Sequence, residues 1–181
     1  MVILGIDPGS TIMGYGVLGL KGGKPQLLQI GTLDQRKICD HYEKIARIFD
    51  CTSQLVKDFK PDAMAIESPF YGNNVQSMLK LGRAQGAAIS AALFHSVPVF
   101  EYAPRKIKQS ITGNGASSKE QIANFLRYVL NTELKPESYD ATDALAAALC
   151  HWYQICRPVS SPASSVKGWK DFIKKNPDRV G

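Results

Sequence analysis

Residues 2–33 read VILGIDPGSTIMGYGVLGLKGGKPQLLQIGTL, and this stretch decides how the fold begins. Three apolar runs, at 2–6, 13–20 and 26–33, are separated by segments that contain Asp, Pro and Gly at the spacing of hairpin turns. The pattern predicts three strands in a meander. Asp7 follows the first strand directly, so an acidic side chain is expected at that strand's end.

The rest of the chain alternates helical and strand-like patterns. Residues 40–58 have an approximately helical apolar period, and the apolar run in PDAMAIE at 61–67 predicts a fourth strand inside the sheet. Further predicted elements are a long helix over 75–94, a strand in 97–103, a basic segment ending in glycines at 104–115, a helix from a capping box at Ser117 and Glu120, and a last helix over 139–155. The order predicts an α/β fold with a mixed five-stranded sheet flanked by helices.

Composition limits the class of protein. The 181 residues are 44% hydrophobic, enough for one substantial core, and no run approaches the roughly 20 apolar residues of a membrane span. The first residues lack a signal-peptide pattern, so we expect a cytoplasmic protein with no membrane partner. Four cysteines without a CxxC pair are expected to be reduced thiols. A net charge of +6 favours a polyanionic ligand.

Four acidic residues form the strongest candidate site. Asp7 and Glu67 each end an apolar run, whereas Asp140 and Asp143 stand three apart at the start of the last helix. Each has an ordinary explanation, because Asp7 could form a turn and the helix pair could serve capping. Glu67 is harder to explain, since a carboxylate after AMAI would be poorly solvated. Together the carboxylates predict a site for Mg²⁺ or Mn²⁺ and phosphate chemistry.

The predicted helix over 75–94 is apolar on more than one side. One stripe contains Met78, Leu79, Gly82 and Gly86, and a second contains Ala84, Ala88 and Ala92. Such a helix needs more than one partner. It is either enclosed within the monomer or placed between the sheet and a second subunit.

Four segments together resemble the RuvC-type Holliday-junction resolvases of the ribonuclease H-like superfamily. They are ILGIDPGSTIMGYGV at 3–17, AIESPFYGNNVQSMLKLGRAQG at 65–86, VFEYAPRKIKQSITGNGASSK at 99–119 and YDATDALAAALCH at 139–151. The resemblance implies a ribonuclease H-like nuclease domain over 1–157. Residues 158–181 lie outside the resemblance, and their composition predicts a Ser/Pro linker followed by a basic tail.

The resemblance also implies a homodimeric endonuclease that resolves four-way DNA junctions by paired nicks, with two Mg²⁺ ions per site, and that works with the RuvA and RuvB branch-migration complex. By motif position Asp7, Glu67, Asp140 and Asp143 are catalytic and bind metal, although some relatives carry His at one of the last two positions. The DNA-binding residues implied or favoured by position are Phe70, Tyr71, Arg105, Lys108 and Lys119.

Other interpretations remain open from the sequence. Asp7, Gly9 and Ser10 also fit the D-x-G-[ST] loop of sugar kinases and actin-like ATPases, although those proteins need two such domains. A non-catalytic junction-binding protein would use the same basic surface without needing the four acids. A related ribonuclease H-like nuclease that cuts RNA or RNA–DNA hybrids is the remaining alternative.

Overall fold

The structure is a computed structural model that describes residues 1–69, 74–132 and 139–156. Its strands are β1 (Val2–Asp7), β2 (Ile12–Lys21), β3 (Lys24–Asp34), β4 (Ala63–Glu67) and β5 (Val99–Tyr102). Its helices are α1 (His41–Phe59), α2 (Val75–Phe94), α3 (Pro104–Thr112), α4 (Lys119–Leu130) and α5 (Tyr139–Cys156). The predicted α/β class is confirmed.

The strands form one mixed sheet in the order β3-β2-β1-β4-β5. The opening meander is antiparallel, with β1 paired to β2 and β2 to β3. β4 runs parallel to both β1 and β5, so it lies inside the sheet as predicted. Because parallel strands end at the same edge of a sheet, the residues that follow β1 and β4 are brought together there.

The two faces of the sheet carry separate helix layers. Ile3 and Ala65 point into a core shared with α3, α4 and α5. Leu4 and Ile66 point into the opposite core, shared with α1 and α2. Since side chains alternate along a strand, Asp7 and Glu67 fall on the same face as Ile3 and Ala65. The acidic strand ends therefore face α5.

Helix α2 presents two different sides. Ala84, Ala88, Ala91 and Ala92 are buried against the sheet and α1. On the outside, the side chains of Leu79 and Leu93 are 52% and 56% exposed. The predicted stripe of Ala84, Ala88 and Ala92 is thus internal, whereas the described residues leave Leu79 and Leu93 of the other stripe exposed.

The segment before α4 differs from the sequence prediction. Residues 104–112 are helical, with Pro104 in the first turn, where its missing N–H is no loss. The capping box belongs to Ser118 and Gln121 rather than Ser117 and Glu120. The hydroxyl of Ser117 is instead within hydrogen-bond distance of Thr112 Oγ1 and donates to the carbonyl of Asn114. That internal bonding removes Ser117 from the capping position.

The linker and tail predicted over 158–181 lie outside the described residues. In the ranges that are described, no helix is both long and apolar enough to cross a membrane.

Candidate active site

Asp7 and Glu67 end the two central parallel strands side by side. The register of β1 and β4 pairs Ile6 with Ile66, so the next residue on each strand is the acid. Both are only partly exposed. The sequence prediction that these two carboxylates share one sheet edge agrees with this register.

Glycines bring the first turn of α5 against the same edge. Gly14 is the β2 partner of Asp7, and a Cβ at Gly14 would lie 2.0 Å from the carbonyl oxygen of Asp140. A Cβ at Gly5 would lie equally close, at 2.0 Å, to the carbonyl oxygen of Ala144. Only residues without side chains allow this approach of helix and sheet. The backbone contact holds α5 where its acidic turn reaches Asp7.

A cleft of about 280 Å³ opens at this edge. Its charged lining residues are Asp7, Glu67, Asp143, Lys108 and Lys119. Pro104, Ile107, Ile122 and Ala146 supply the apolar part of the wall. Three of the four predicted acids therefore line one cleft. The fourth, Asp140, lies near enough for its charge to act on Asp7.

Asp7 and Glu67 bind protons more tightly than exposed acids do. Burial raises the pKa of Asp7 to about 7, and the negative charges of Asp143 and Asp140 add to the rise while Lys119 opposes it. Burial likewise raises the pKa of Glu67 to about 8, with further contributions from Asp7 and Asp143 and opposition from Lys119 and Lys108. The negative charges of these carboxylates are therefore poorly solvated in the cleft.

Lys119 is one of two lysines in the cleft that partly balance this charge. Its Nζ donates a hydrogen bond to Asp143 Oδ2 at 2.5 Å. Burial lowers the pKa of Lys119, but the hydrogen bond and charge of Asp143 outweigh burial, and the net pKa is raised. The same Nζ lies 5.9 Å from the ring centroid of Tyr139. Lys119 is therefore held between two residues of the first turns of α5.

The donor set fits a hard divalent cation. Carboxylate oxygens suit Mg²⁺, and a bound cation would offset the burial and the mutual repulsion that raise the pKa values of Asp7 and Glu67. In the described ranges, no three acidic, His or Cys side chains converge closely enough to define an ion position. The cleft thus provides the donors, and their side chains are not arranged around a common point.

The comparisons with known proteins decide the family. A family model described as crossover junction endodeoxyribonuclease RuvC matches residues 3–151. The chain belongs to the RuvC family. A crossover junction endodeoxyribonuclease RuvC from Bacteroides fragilis is 54% identical over 99% of this chain and 95% of its own length. The corresponding protein of Porphyromonas gingivalis is 52% identical, again over 99% of this chain, and over 96% of its own length.

A solved structure supports the same assignment. Thermus thermophilus RuvC in complex with a Holliday junction substrate matches with a TM-score of 0.77 and 32% identity, covering 86% of this chain and 95% of that one. The resemblance noted in the sequence, the ribonuclease H-like fold and the nuclease class are confirmed. The interpretation as a sugar kinase or actin-like ATPase does not fit a RuvC-family chain.

The structure separates the predicted DNA-binding residues of this RuvC-family chain. Lys108 and Lys119 line the cleft, whereas Arg105 is outside its lining and packs on the loop after α3. A Cβ at Gly115 would lie 2.6 Å from Arg105 Cγ, so the side chain of Arg105 packs closely against this glycine. Phe70 and Tyr71 lie outside the described residues.

Two contributors to the site were missed by the sequence analysis. Gly14 and Tyr139 act through Asp140 and Lys119, respectively. The sequence gives a signal only for Gly14, because the repeated glycines of MGYGVLGL at 13–20 interrupt an otherwise β-prone run and indicate close backbone approach. Tyr139 has no comparable signal.

Proposed function

We propose that the protein resolves four-way DNA junctions by metal-dependent hydrolysis of one phosphodiester bond in each of two opposed strands. The observation that supports this most directly is the β1–β4 register, which sets Asp7 beside Glu67 in a cleft that also contains Asp143. The junction substrate of the Thermus thermophilus relative supports DNA of the same form here.

The four acids Asp7, Glu67, Asp140 and Asp143 would hold two Mg²⁺ ions, for which Mn²⁺ could substitute. When bound, such ions stabilise the attacking and leaving oxygens of the transferred phosphate. Asp7 and Glu67 place negative charge at the carboxyl ends of two adjacent strands, and Asp140 and Asp143 place it at the start of α5. Asp140 and Asp143 have different surroundings, since Asp143 lines the cleft and forms an ion pair with Lys119, whereas Asp140 is not among the residues that line the cleft.

The basic residues would position the DNA strand. Lys108 lines the cleft from α3, so its ammonium group is placed to contact a phosphate of the strand to be cut. Lys119 would exchange part of its interaction with Asp143 for the negative charge that develops on the phosphate oxygens. Arg105, which faces the α3–α4 loop, would contact phosphates outside the cleft.

A homodimer is proposed because two opposed strands need two cleavage sites in a fixed relation. The outer side of α2 is suited to this contact, since Leu79 and Leu93 are more than half exposed. A Cβ at Gly82 or Gly86 would meet no described atom within 4 Å, so a second helix has room to approach the backbone there. A two-fold axis along this face would pair the two α2 helices.

Further parts of the proposal concern residues or partners beyond the described ranges. Phe70 is proposed to stack on an unpaired base at the junction centre, worth roughly 1 to 3 kcal/mol, with Tyr71 beside it. The RuvA and RuvB complex is the proposed branch-migration partner, and a cytoplasmic location is expected. The nuclease domain is proposed to end near residue 157, with a basic tail of undefined role over 158–181.

The decisive experiment compares substrates for the wild-type protein and Asp7→Asn. Labelled four-way junction, linear duplex and RNA–DNA hybrid are incubated with Mg²⁺ or with a chelator, and the nicks are mapped. We expect paired nicks in the junction alone, only with Mg²⁺, and none with Asp7→Asn although it still binds. Asp50→Asn, at an exposed acid of α1, is the matched control.

Each other outcome contradicts a defined part of the proposal. Cleavage of the hybrid at the rate of the junction would favour a ribonuclease H-like enzyme of broader substrate range. Full cleavage by Asp7→Asn would remove this acid from the site. Junction binding without cleavage by the wild-type protein, in either Mg²⁺ or Mn²⁺, would indicate a structural DNA-binding protein.

A further inference from the structure

A second polar pocket lies behind the turn that follows Asp7. It has a volume of about 110 Å³ and is lined by Ser10, Thr11, Cys39, His41, Lys44 and Lys80. The β1–β2 turn, the start of α1 and the N-terminal half of α2 each contribute residues. None of them belongs to the catalytic cleft.

The chemistry of this pocket, named here the turn pocket, suits an anion. Two ammonium groups, two hydroxyls, an imidazole and a thiol line it, and no carboxylate is among its lining residues. Two acids, Asp40 and Glu43, neighbour lining residues in sequence but do not line the pocket themselves. The carboxylate of Asp40 instead accepts hydrogen bonds from the amides of Tyr42 and Glu43 at 3.3 and 3.1 Å. Positive charge and donors are thus concentrated without a countercharge on the pocket wall.

An independent observation also indicates a missing acceptor. His41 Nε2 is buried and has no hydrogen-bond partner among the described residues. A buried polar atom without a partner is destabilising, because it has lost its hydrogen bonds to water and gained none in return. Because His41 is one of the residues that line the turn pocket, an oxygen atom bound there is a candidate hydrogen-bond partner for this nitrogen.

The position of the turn pocket relates it to the DNA. Ser10 and Thr11 follow Asp7 by three and four residues, so the turn pocket and the catalytic cleft share the carboxyl end of β1. The cleft opens on the side of α3 and α5, whereas the turn pocket opens on the side of α1 and α2. A DNA strand that continued from the cleft across this sheet edge would therefore approach the turn pocket.

We propose that the turn pocket binds one backbone phosphate of the junction DNA, outside the nucleotides at the cleavage point. Lys44 and Lys80 supply the charge, and the hydroxyls of Ser10 and Thr11 supply directed hydrogen bonds. The inference rests on the proposed junction substrate. It adds a contact that fixes the path of the strand beyond the catalytic cleft.

The test uses the full chain with Lys44→Gln and Lys80→Gln combined. The matched control is Lys21→Gln with Lys57→Gln, which removes the same charge from exposed positions outside both pockets. Junction affinity is measured as a function of salt concentration. The association constant falls as salt rises, and each lost phosphate contact makes the slope of log K against log salt less negative by about 1. For the pocket variant only, we expect this shallower salt dependence and a roughly fivefold to tenfold weaker junction affinity at physiological salt.

Neutral methylphosphonate groups, placed one at a time along the junction strands, then locate the contact. At one position in the DNA, the methylphosphonate is expected to weaken binding by the wild-type protein about fivefold. The same methylphosphonate should weaken binding by the pocket variant less than about twofold, because that variant has already lost the contact with this phosphate. Because Lys44 is partly buried, Thr11→Val provides a second variant if the lysine variant does not fold. Thr11→Val should weaken the response to the same methylphosphonate.

The outcomes distinguish this inference from the proposed function. If the wild-type protein cuts junctions while the pocket and control variants have equal affinities and salt slopes, the phosphate contact is refuted and the nuclease proposal stands. Inorganic phosphate that raises the melting temperature of the wild type but not of the pocket variant, without any matching methylphosphonate effect, would make this a free-anion site and refute the DNA contact. Failure of the wild type to bind junctions refutes the proposed function first.

Discussion

Replacing Asp7 with Asn is expected to stabilise the metal-free protein at alkaline pH. The folded pKa of Asp7, about 7, stands above the ordinary aspartate pKa of 3.8, so the folded state binds this proton more tightly than the unfolded state does. Its contribution to stability is complete below 3.8 and is lost as pH rises through about 7. Asn cannot ionise, so the variant avoids that loss.

The size of the effect follows from the pKa displacement. Each pKa unit corresponds to about 1.4 kcal/mol, so the whole displacement is worth about 4 kcal/mol. Roughly 2.5 kcal/mol of this falls between about pH 5 and about pH 8.5, because the rest is lost at lower pH. For a chain of this length about 2 to 4 °C accompanies each kcal/mol, so the melting-temperature advantage of Asp7→Asn should grow by about 5 to 10 °C between those pH values.

The assay is thermal unfolding followed by circular dichroism in a chelating buffer at both pH values. Asp50→Asn is the control, and its difference from wild type should not change with pH. Adding Mg²⁺ at the higher pH should raise the melting temperature of the wild type and have a smaller effect on Asp7→Asn, since a ligand stabilises only the form that binds it. An advantage of Asp7→Asn that is the same at both pH values would refute the assigned burial of this carboxylate.

Three further outcomes test the site and the dimer. Gly14→Ala places a Cβ 2.0 Å from the carbonyl oxygen of Asp140, so the first turn of α5 must shift. Because a displacement near 1 Å can lower a rate by about 100-fold, we expect junction cleavage to fall by that factor and the Mg²⁺ concentration needed for cleavage to rise. Gly19→Ala, whose Cβ meets only the Leu28 side chain, should retain activity. Lys119→Met should lower the single-turnover cleavage rate by about 100-fold and change junction affinity by less than about threefold; an equal loss in both would assign Lys119 to binding alone. Leu79→Glu should convert a sedimenting dimer into a monomer that binds junctions without resolving them, whereas Leu28→Glu, at a side chain of similar exposure, should leave the dimer intact.

The sequence predicts the sheet edge of the site well because its signals are local. Turn residues separate the first three strands, and Asp7 and Glu67 directly follow apolar runs, so their strand-end positions do not depend on distant contacts. The parallel pairing of β1 and β4 was the condition for bringing the two acids together, and the register meets it. The sequence alone does not show which side of α2 is buried, because both stripes of this helix are apolar. The position of α2 on the sheet identifies the buried side.

Contacts between distant segments were beyond the sequence analysis. Ser117 and Ser118 are equally good caps by type, and only the bonding of Ser117 to Thr112 and Asn114 assigns the cap to Ser118. Lys119 was predicted to face DNA, and its ion pair with Asp143, 24 positions away, depends on how α4 packs beside α5. Charge and residue type give no measure of such distances.

The glycines beneath α5 determine which parts of the protein can change without loss of the site. Gly5 and Gly14 bring the helix to backbone contact with two strands, so the helix–sheet separation does not depend on the volume of intervening side chains. Larger side chains at Gly5 or Gly14 cannot move α5 away from the sheet in small steps, because even the methyl group of an alanine there collides with a carbonyl oxygen. Selection for new cleavage preferences, in nature or in the laboratory, must therefore act on the surrounding loops and basic residues, while the spacing of the acids stays fixed.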